Sequence, residues 1–324
     1  MSTYKQIYGQ NIELLSSDPS NPTLGQIWYN TSSNQLKGFR AVLGGVFSTG
    51  NPLTNGSRNM GAAGTQTAAL GFGGYKFTPP RPPYGVTTTE LYNGSSWTNN
   101  PTGMGTGVYA MGYAGTQTAA ISFSGTYPPT AITQLFTGSS WTTSAQNVNT
   151  AQARMGSAGT QTSALKFGGN EAPQTSTELW NGSSWTTNPS GLNTGRSELG
   201  GCGTQTAALA FGGSPDQKTE TELWNGSSWT NNPSGLNTGR HSMAAFGIQT
   251  SALSAGGSNP SAPTAITEQF NGSAWASASA LGTGRYGMQG CGNTTNGLVF
   301  GGAPVNSSMQ LTEEWNPESA TAIF

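Results

Sequence analysis

Across 324 residues the chain carries only 12 Lys+Arg and 13 Asp+Glu, a formal net charge of −1, beside 48 Gly and 18 Pro. That balance gives no field to attract nucleic acid or an anionic membrane face. Nine Trp, ten Tyr and twelve Phe supply the apolar surface that a disordered chain lacks, so the Gly and Pro content marks turns and close packing.

No run of 18 apolar residues is present, which excludes a membrane-spanning helix, and the start at residues 1–6 lacks the apolar core of a secretory signal. Cys202 and Cys291 occupy the same position of two separate repeats and read as small buried hydrophobes in a chain matured in a reducing cytoplasm.

Residues 1–44 contain no copy of the repeat that fills the rest of the chain. Within them residues 18–25 read as a loop, and residues 26–39 as two short strands around a polar turn. The string Gly25-Gln-Ile-Trp-Tyr-Asn-Thr31, followed by Leu36-Lys37, resembles a segment found near the N-termini of bacteriophage tail and other virion structural proteins. The resemblance implies a docking segment over residues 1–44, with Trp28 and Tyr29 as contacts and other virion proteins as partners.

From residue 45 a repeat takes over. Its phase is set by Gly64, Gly115, Gly159, Gly203, Gly247 and Gly292, mostly within Gly-Thr-Gln-Thr, at steps of 51, 44, 44, 44 and 45 residues. A period in the forties with only strand-like signals points to propeller blades. In the fourth unit four strands are expected: residues 197–202, residues 206–213, residues 221–224 and residues 228–230. The last two are joined by Asn225-Gly226, a pair suited to a tight hairpin turn.

The double glycines Gly73-Gly74, Gly168-Gly169, Gly212-Gly213, Gly256-Gly257 and Gly301-Gly302 recur, with Ser124-Gly125 in the second unit. They are followed by an aromatic (Tyr92, Phe136, Trp180, Trp224, Phe270, Trp315) and then by a Trp (Trp97, Trp141, Trp185, Trp229, Trp275). This pattern resembles the Kelch repeat across residues 45–324, and implies an all-β, six-bladed β-propeller with four-stranded blades. The sixth unit ends without its Trp. Residues 47–58 match residues 185–196 in aromatic-to-Arg spacing, so a strand around residues 46–48 is expected to complete the last blade and close the ring.

Arg58, Arg196, Arg240 and Arg285 recur before first strands, and Glu90, Glu178, Glu222, Glu268 and Glu313 two residues before the third-strand aromatic. Structural ion pairs are expected, within a blade or across a boundary, with the pattern broken by Val108, Gln134 and Gln152. The Asn-Gly-Ser strings at Asn93, Asn181, Asn225 and Asn271 read as turns.

Catalytic constellations are not apparent. His241 is the single histidine and reads as a solvated neighbour of Arg240, too little for a copper oxidase site. Asp18 and Asp216 are the only aspartates, which weighs against carboxylate-built calcium sites. No cofactor or metal is expected.

The loops joining second to third strands differ most between units, and variable Pro-stiffened loops on a rigid scaffold are where recognition resides. Tyr75, Phe77, Arg81, Tyr84, Tyr127, Asp216 and Lys218 are the candidate binding residues. The resulting expectation is a non-enzymatic virion component, assembled in the host cytoplasm, whose loop face meets a host glycan, a surface protein or another subunit, homo-oligomers included. A carbohydrate-active propeller enzyme and an intracellular Kelch adaptor are the competing expectations.

Overall fold

The computed structural model describes residues 12–19, 26–76, 85–172, 174–260, 262–303 and 309–323. Every regular element among them is a β-strand. The chain divides into two compact units: residues 1–46 with 317–324, and residues 47–316.

In the smaller unit Ile27–Asn30 pairs antiparallel with the start of Gln35–Gly50, Tyr29 facing Leu36 and Asn30 facing Gln35. Asn30 shapes the intervening turn by accepting from the amides of Ser32 and Ser33 through its side-chain oxygen. A third strand, Glu13–Leu15, adds in parallel to Ile27–Asn30; three residues are too short a run to show strand periodicity in the sequence.

The larger unit is a propeller-like array of antiparallel sheets. Five are four-stranded, each with its strands in sequential order. In the fourth repeat they are Gly200–Gly203, Ala208–Phe211, Thr221–Trp224 and Trp229–Asn232. A further sheet holds Tyr286–Gly292, Gly297–Ala303 and Thr312–Ile323, with Gln35–Gly50 as the next neighbour. The Phe47 ring lies 4.9 Å from that of Trp315. First strands of successive repeats lie against one another, and the first strand of the sixth lies against that of the first.

The small residues of the first strands have a local cause. Gly200 pairs directly with Phe211, and a Cβ on Gly200 would sit 2.4 Å from the phenyl ring. That ring then meets Trp275 of the following repeat at 4.7 Å. The same Phe-to-Trp contact joins Phe72 to Trp141, Phe123 to Trp185, Phe167 to Trp229 and Phe300 to Trp97. Each pair contributes ~0.5–1.5 kcal/mol beyond its area burial.

Two hydrogen-bonding devices recur at the same boundaries. The indoles of Trp97, Trp141, Trp185, Trp229 and Trp275 donate to threonine hydroxyls of the preceding repeat: Thr312, Thr89, Thr133, Thr177 and Thr221. The glutamine of each Gly-Thr-Gln turn also reaches back to two carbonyls. Gln205 Nε2 donates to Ala164 and Trp180, and Gln66, Gln117, Gln161 and Gln249 do likewise.

The boundary between the fifth and sixth repeats departs from this pattern. Ala255 stands where the other repeats have Phe, Thr294 where they have Gln, and Gly282 where Asn193 and Asn237 bind glutamate. Volume is recovered from another direction, because Phe246 on the first strand fills the space beside Gly290 and Gly297. The indole and glutamine hydrogen bonds have no such replacement. Thr294 instead meets Ser251 through its hydroxyl at 2.7 Å.

The charged residues pair within a repeat. Arg196 binds Glu222, Arg240 binds Glu268 and Arg285 binds Glu313, all deeply buried. Burial pulls the Arg240 and Arg285 guanidiniums down from their usual range, and the facing carboxylates oppose that shift. In the third repeat Gln152 holds the arginine position, and the cation comes from the second strand: Lys166 Nζ lies 2.9 Å from Glu178, both fully buried. In the second repeat cation and anion are lost together, as Val108 and Gln134. Gln134 keeps the carboxylate's contacts in neutral form, accepting from the Thr106 amide and donating to its carbonyl.

Arg58 departs from its expected role. The residue in register with Arg196 is Ser57, buried and hydrogen-bonded to Gly73, because the connection from Phe47 is one residue shorter than that from Trp185. Glu90 is therefore buried without an arginine. Burial raises its carboxyl, against hydrogen bonds from Asn55. Cys202 and Cys291 are buried free thiols, each pushed up to about 12 by burial.

Two expectations follow from this charge accounting. Glu222→Gln strands the buried Arg196 and lowers unfolding free energy by about 3 kcal/mol or more, measured by urea denaturation. Glu90→Gln costs nothing at pH 7 and stabilises slightly. A raised carboxyl contributes stability below its unfolded pKa and loses it as pH rises through the folded value, so the wild type regains ground only toward pH 4. A large loss in Glu90→Gln would contradict this reading. At the irregular boundary, Thr294→Gln restores two carbonyl contacts and raises stability by roughly 1 kcal/mol; an unchanged or lower melting temperature would contradict it.

Candidate functional site

Six equivalent residues, one per repeat, adopt left-handed backbone conformations at or just before the start of the first strands. They are Asn59, Ala110, Arg154, Glu198, Ser242 and Gly287, with φ between 52° and 65°. Each donates its amide to the carbonyl of the equivalent residue in a neighbouring repeat: Ala110 to Asn59, Arg154 to Ala110, Glu198 to Arg154, Ser242 to Glu198, Gly287 to Ser242 and Asn59 to Gly287, at 2.7–2.8 Å. The sixth bond returns to the starting residue. Non-glycine residues in this region cost on the order of 1 kcal/mol each, a cost offset here by the inter-repeat bond that the twisted backbone makes.

The side chains of these positions and their neighbours line a pocket of about 320 Å³. Its lining includes Arg58, Tyr113, Arg154, Ser157, Glu198, His241, Ser242, Tyr286 and Gln289. Glu198 is the only carboxylate among the described lining residues. It binds Arg154 through Oε1, and through Oε2 accepts from Ser242 Oγ at 2.7 Å and lies 2.5 Å from His241 Nδ1. Burial alone would raise the Glu198 pKa, but the hydrogen bond from His241, the Arg154 charge and the Ser242 hydroxyl outweigh it and hold the carboxyl at about 2. His241 is thus half-buried and part of this network, not the solvated neighbour of Arg240 that its position suggested.

On the opposite wall Arg58 donates to the Tyr286 hydroxyl at 2.7 Å, with its guanidinium 5.2 Å from the Tyr75 ring centre and 5.7 Å from that of Tyr286. Tyr75 also packs against Tyr109 at 5.4 Å. Tyr113 hydrogen-bonds Gln289 and receives its own ring's share of burial, which raises its hydroxyl pKa. Its backbone amide donates to Ser157 Oγ.

The variable loops lie on the side of this pocket. Bridges join Tyr75 to Arg58, Ser214 to Ser197 and Ser258 to His241, tying second-to-third connections to the segments that enter the first strands. Of the residues expected to bind, Tyr75 therefore stands at the pocket rim. Tyr127 is 70% exposed in its own loop. Asp216 is exposed and Lys218 half-buried, with Lys218 Nζ 3.9 Å from Glu220, and neither lines the pocket. Phe77, Arg81 and Tyr84 lie outside the described residues.

In the smaller unit Trp28 is fully buried and donates to Asp18 at 3.0 Å, while Tyr29 is half-buried. Asp18 also binds Asn30 and Lys37, and these contacts, led by Lys37, hold its carboxyl at about 2.

Arg154, Glu198, His241, Ser242, Tyr286 and Gln289 were not singled out by sequence reasoning as a site. The available signal was a column: five and six residues before each phase-setting glycine the repeats disagree most, amid neighbours that agree. No protein-family model and no curated protein matches the chain.

The Glu198 carboxyl, held below its unfolded value of 4.5, contributes stability that is present above pH 4.5 and lost as pH falls toward 2. Glu198→Gln is expected to be less stable than the wild type by on the order of 2 kcal/mol at pH 7, with the gap shrinking between pH 4.5 and 3 in urea titrations. A gap independent of pH would show that the network is not charged as described.

Proposed function

We propose that the chain is a closed six-bladed propeller of the Kelch kind carrying a short N-terminal attachment segment, and that it serves as a non-enzymatic virion component whose pocketed face binds a ligand. Six equivalent first strands, a hydrogen-bond cycle through six repeats and Phe47 stacked on Trp315 support the closed reading. The strand around Phe47 then completes the last blade.

The observation that carries the binding role is the contrast inside the pocket. Each repeat supplies the same backbone conformation and a different side chain, from Arg154 to Glu198 to Ser242. A rigid frame with individual side chains at its centre is the form of a recognition site. Catalysis is disfavoured on chemical grounds, since Glu198 is already engaged by three donors and is held ionised, which suits neither an acid nor a base.

The virion role rests on the resemblance of residues 25–37 to tail and other virion structural proteins. In the smaller unit the buried Trp28, hydrogen-bonded to the exposed Asp18, stiffens the hairpin, leaving Tyr29 and the 64% exposed Leu14 to make contact. The protein is expected in purified particles by mass spectrometry. A variant lacking residues 1–44 should fold yet be absent from them; its continued incorporation would overturn the docking role.

A further inference from the structure

Resting on the reading of the central pocket as a recognition site, we propose that it takes a sugar acid: a single pyranose ring bearing a carboxylate. Among the described residues Arg58 and Arg154 line the pocket with one carboxylate, Glu198, so a protein of net charge −1 places a local positive excess there. Glu198 spends both oxygens on Arg154, Ser242 and His241.

The neutral groups are polarised the same way. The Tyr286 oxygen accepts from Arg58, leaving its proton to donate. Gln289 Oε1 accepts from Tyr113, which leaves the Gln289 amide hydrogens as donors. Ser157 Oγ accepts from the Tyr113 amide and keeps its own proton. In each of these three pairs the acceptor is engaged within the wall and a donor hydrogen is left over.

A donor-rich, positive wall selects a ligand rich in acceptors, and a carboxylate against guanidinium and phenol donors is the strongest such match. Size and chemistry narrow the choice. A volume of about 320 Å³ is at the lower end for small-molecule sites. Sugar hydroxyls can turn to accept from these donors.

The test is calorimetric titration of the full chain with methyl glucuronide, the methyl glycoside of N-acetylneuraminic acid and neutral methyl glucoside. At least one acid should bind roughly tenfold or more tightly than the neutral sugar, and the pair of acids distinguishes a uronic from a nonulosonic ligand. Arg154→Gln and Tyr286→Phe should each weaken acid binding about fivefold or more while leaving neutral-sugar binding unchanged; Arg154 is half exposed, and Tyr286→Phe keeps the ring, so both variants retain the fold by circular dichroism. Acid binding with loss in both variants supports the proposal. Equal binding of acid and neutral sugar, acid binding indifferent to both variants, or no binding of either acid would overturn it. The wider reading of the face as a recognition surface fails separately, if replacing loop residues such as Tyr127 and pocket residues alike leaves particle attachment to host cells intact.

Discussion

Six backbone hydrogen bonds between equivalent residues of neighbouring repeats set the terms for everything around them. Each requires a residue with positive φ at one place in its repeat, so the segments entering the first strands all turn in the same way and bring their side chains to one pocket. The chain at this point is constrained in backbone and released in side chain. Asn, Ala, Arg, Glu, Ser and Gly share one conformation there, and the chemistry of the pocket is whatever those six positions and their neighbours happen to carry.

Outside that cycle the repeats are held by aromatic and amide contacts that the duplicated sequence copies, together with charge pairs that it adjusts. The adjustments follow a simple electrostatic rule: a buried carboxylate keeps a cation, or both are removed. Lys166 replaces the missing arginine of the third repeat from a different strand, and Val108 with Gln134 removes the pair from the second. Glu90 is the position where the rule is not met, and its raised carboxyl records the cost. Packing is adjusted similarly at the boundary of the fifth and sixth repeats, where Phe246 supplies the ring that Ala255 lacks. Shape is restored there while the hydrogen bonds are not.

Strand order, repeat phase and the aromatic anchors were legible in the sequence because period-two burial, Asn-Gly turns and recurring Trp are local signals. The Arg–Glu pairs were legible as a set, though not which partner each takes. Arg58 was misplaced because a one-residue shortening of its connection leaves the aromatic-to-Arg spacing unchanged while moving the side chain from the core to the pocket. The pocket itself was illegible for a related reason: its members come from six repeats and meet only once the sheets are arrayed. Tyr75 was found through its loop, whereas Arg154 and Glu198 carry no motif of their own. Trp28 was read as a contact because its segment resembles virion proteins, and the structure places it inside, hydrogen-bonded to Asp18.

Hydrogen exchange measured residue by residue tests the central cycle most directly. If the six bonds form one closed set, the amides of Asn59, Ala110, Arg154, Glu198, Ser242 and Gly287 exchange slowly and at a common rate governed by global unfolding. Fast exchange at Asn59 or Gly287, with the other four protected, would mean that the array is open between its sixth and first repeats, and would contradict the account.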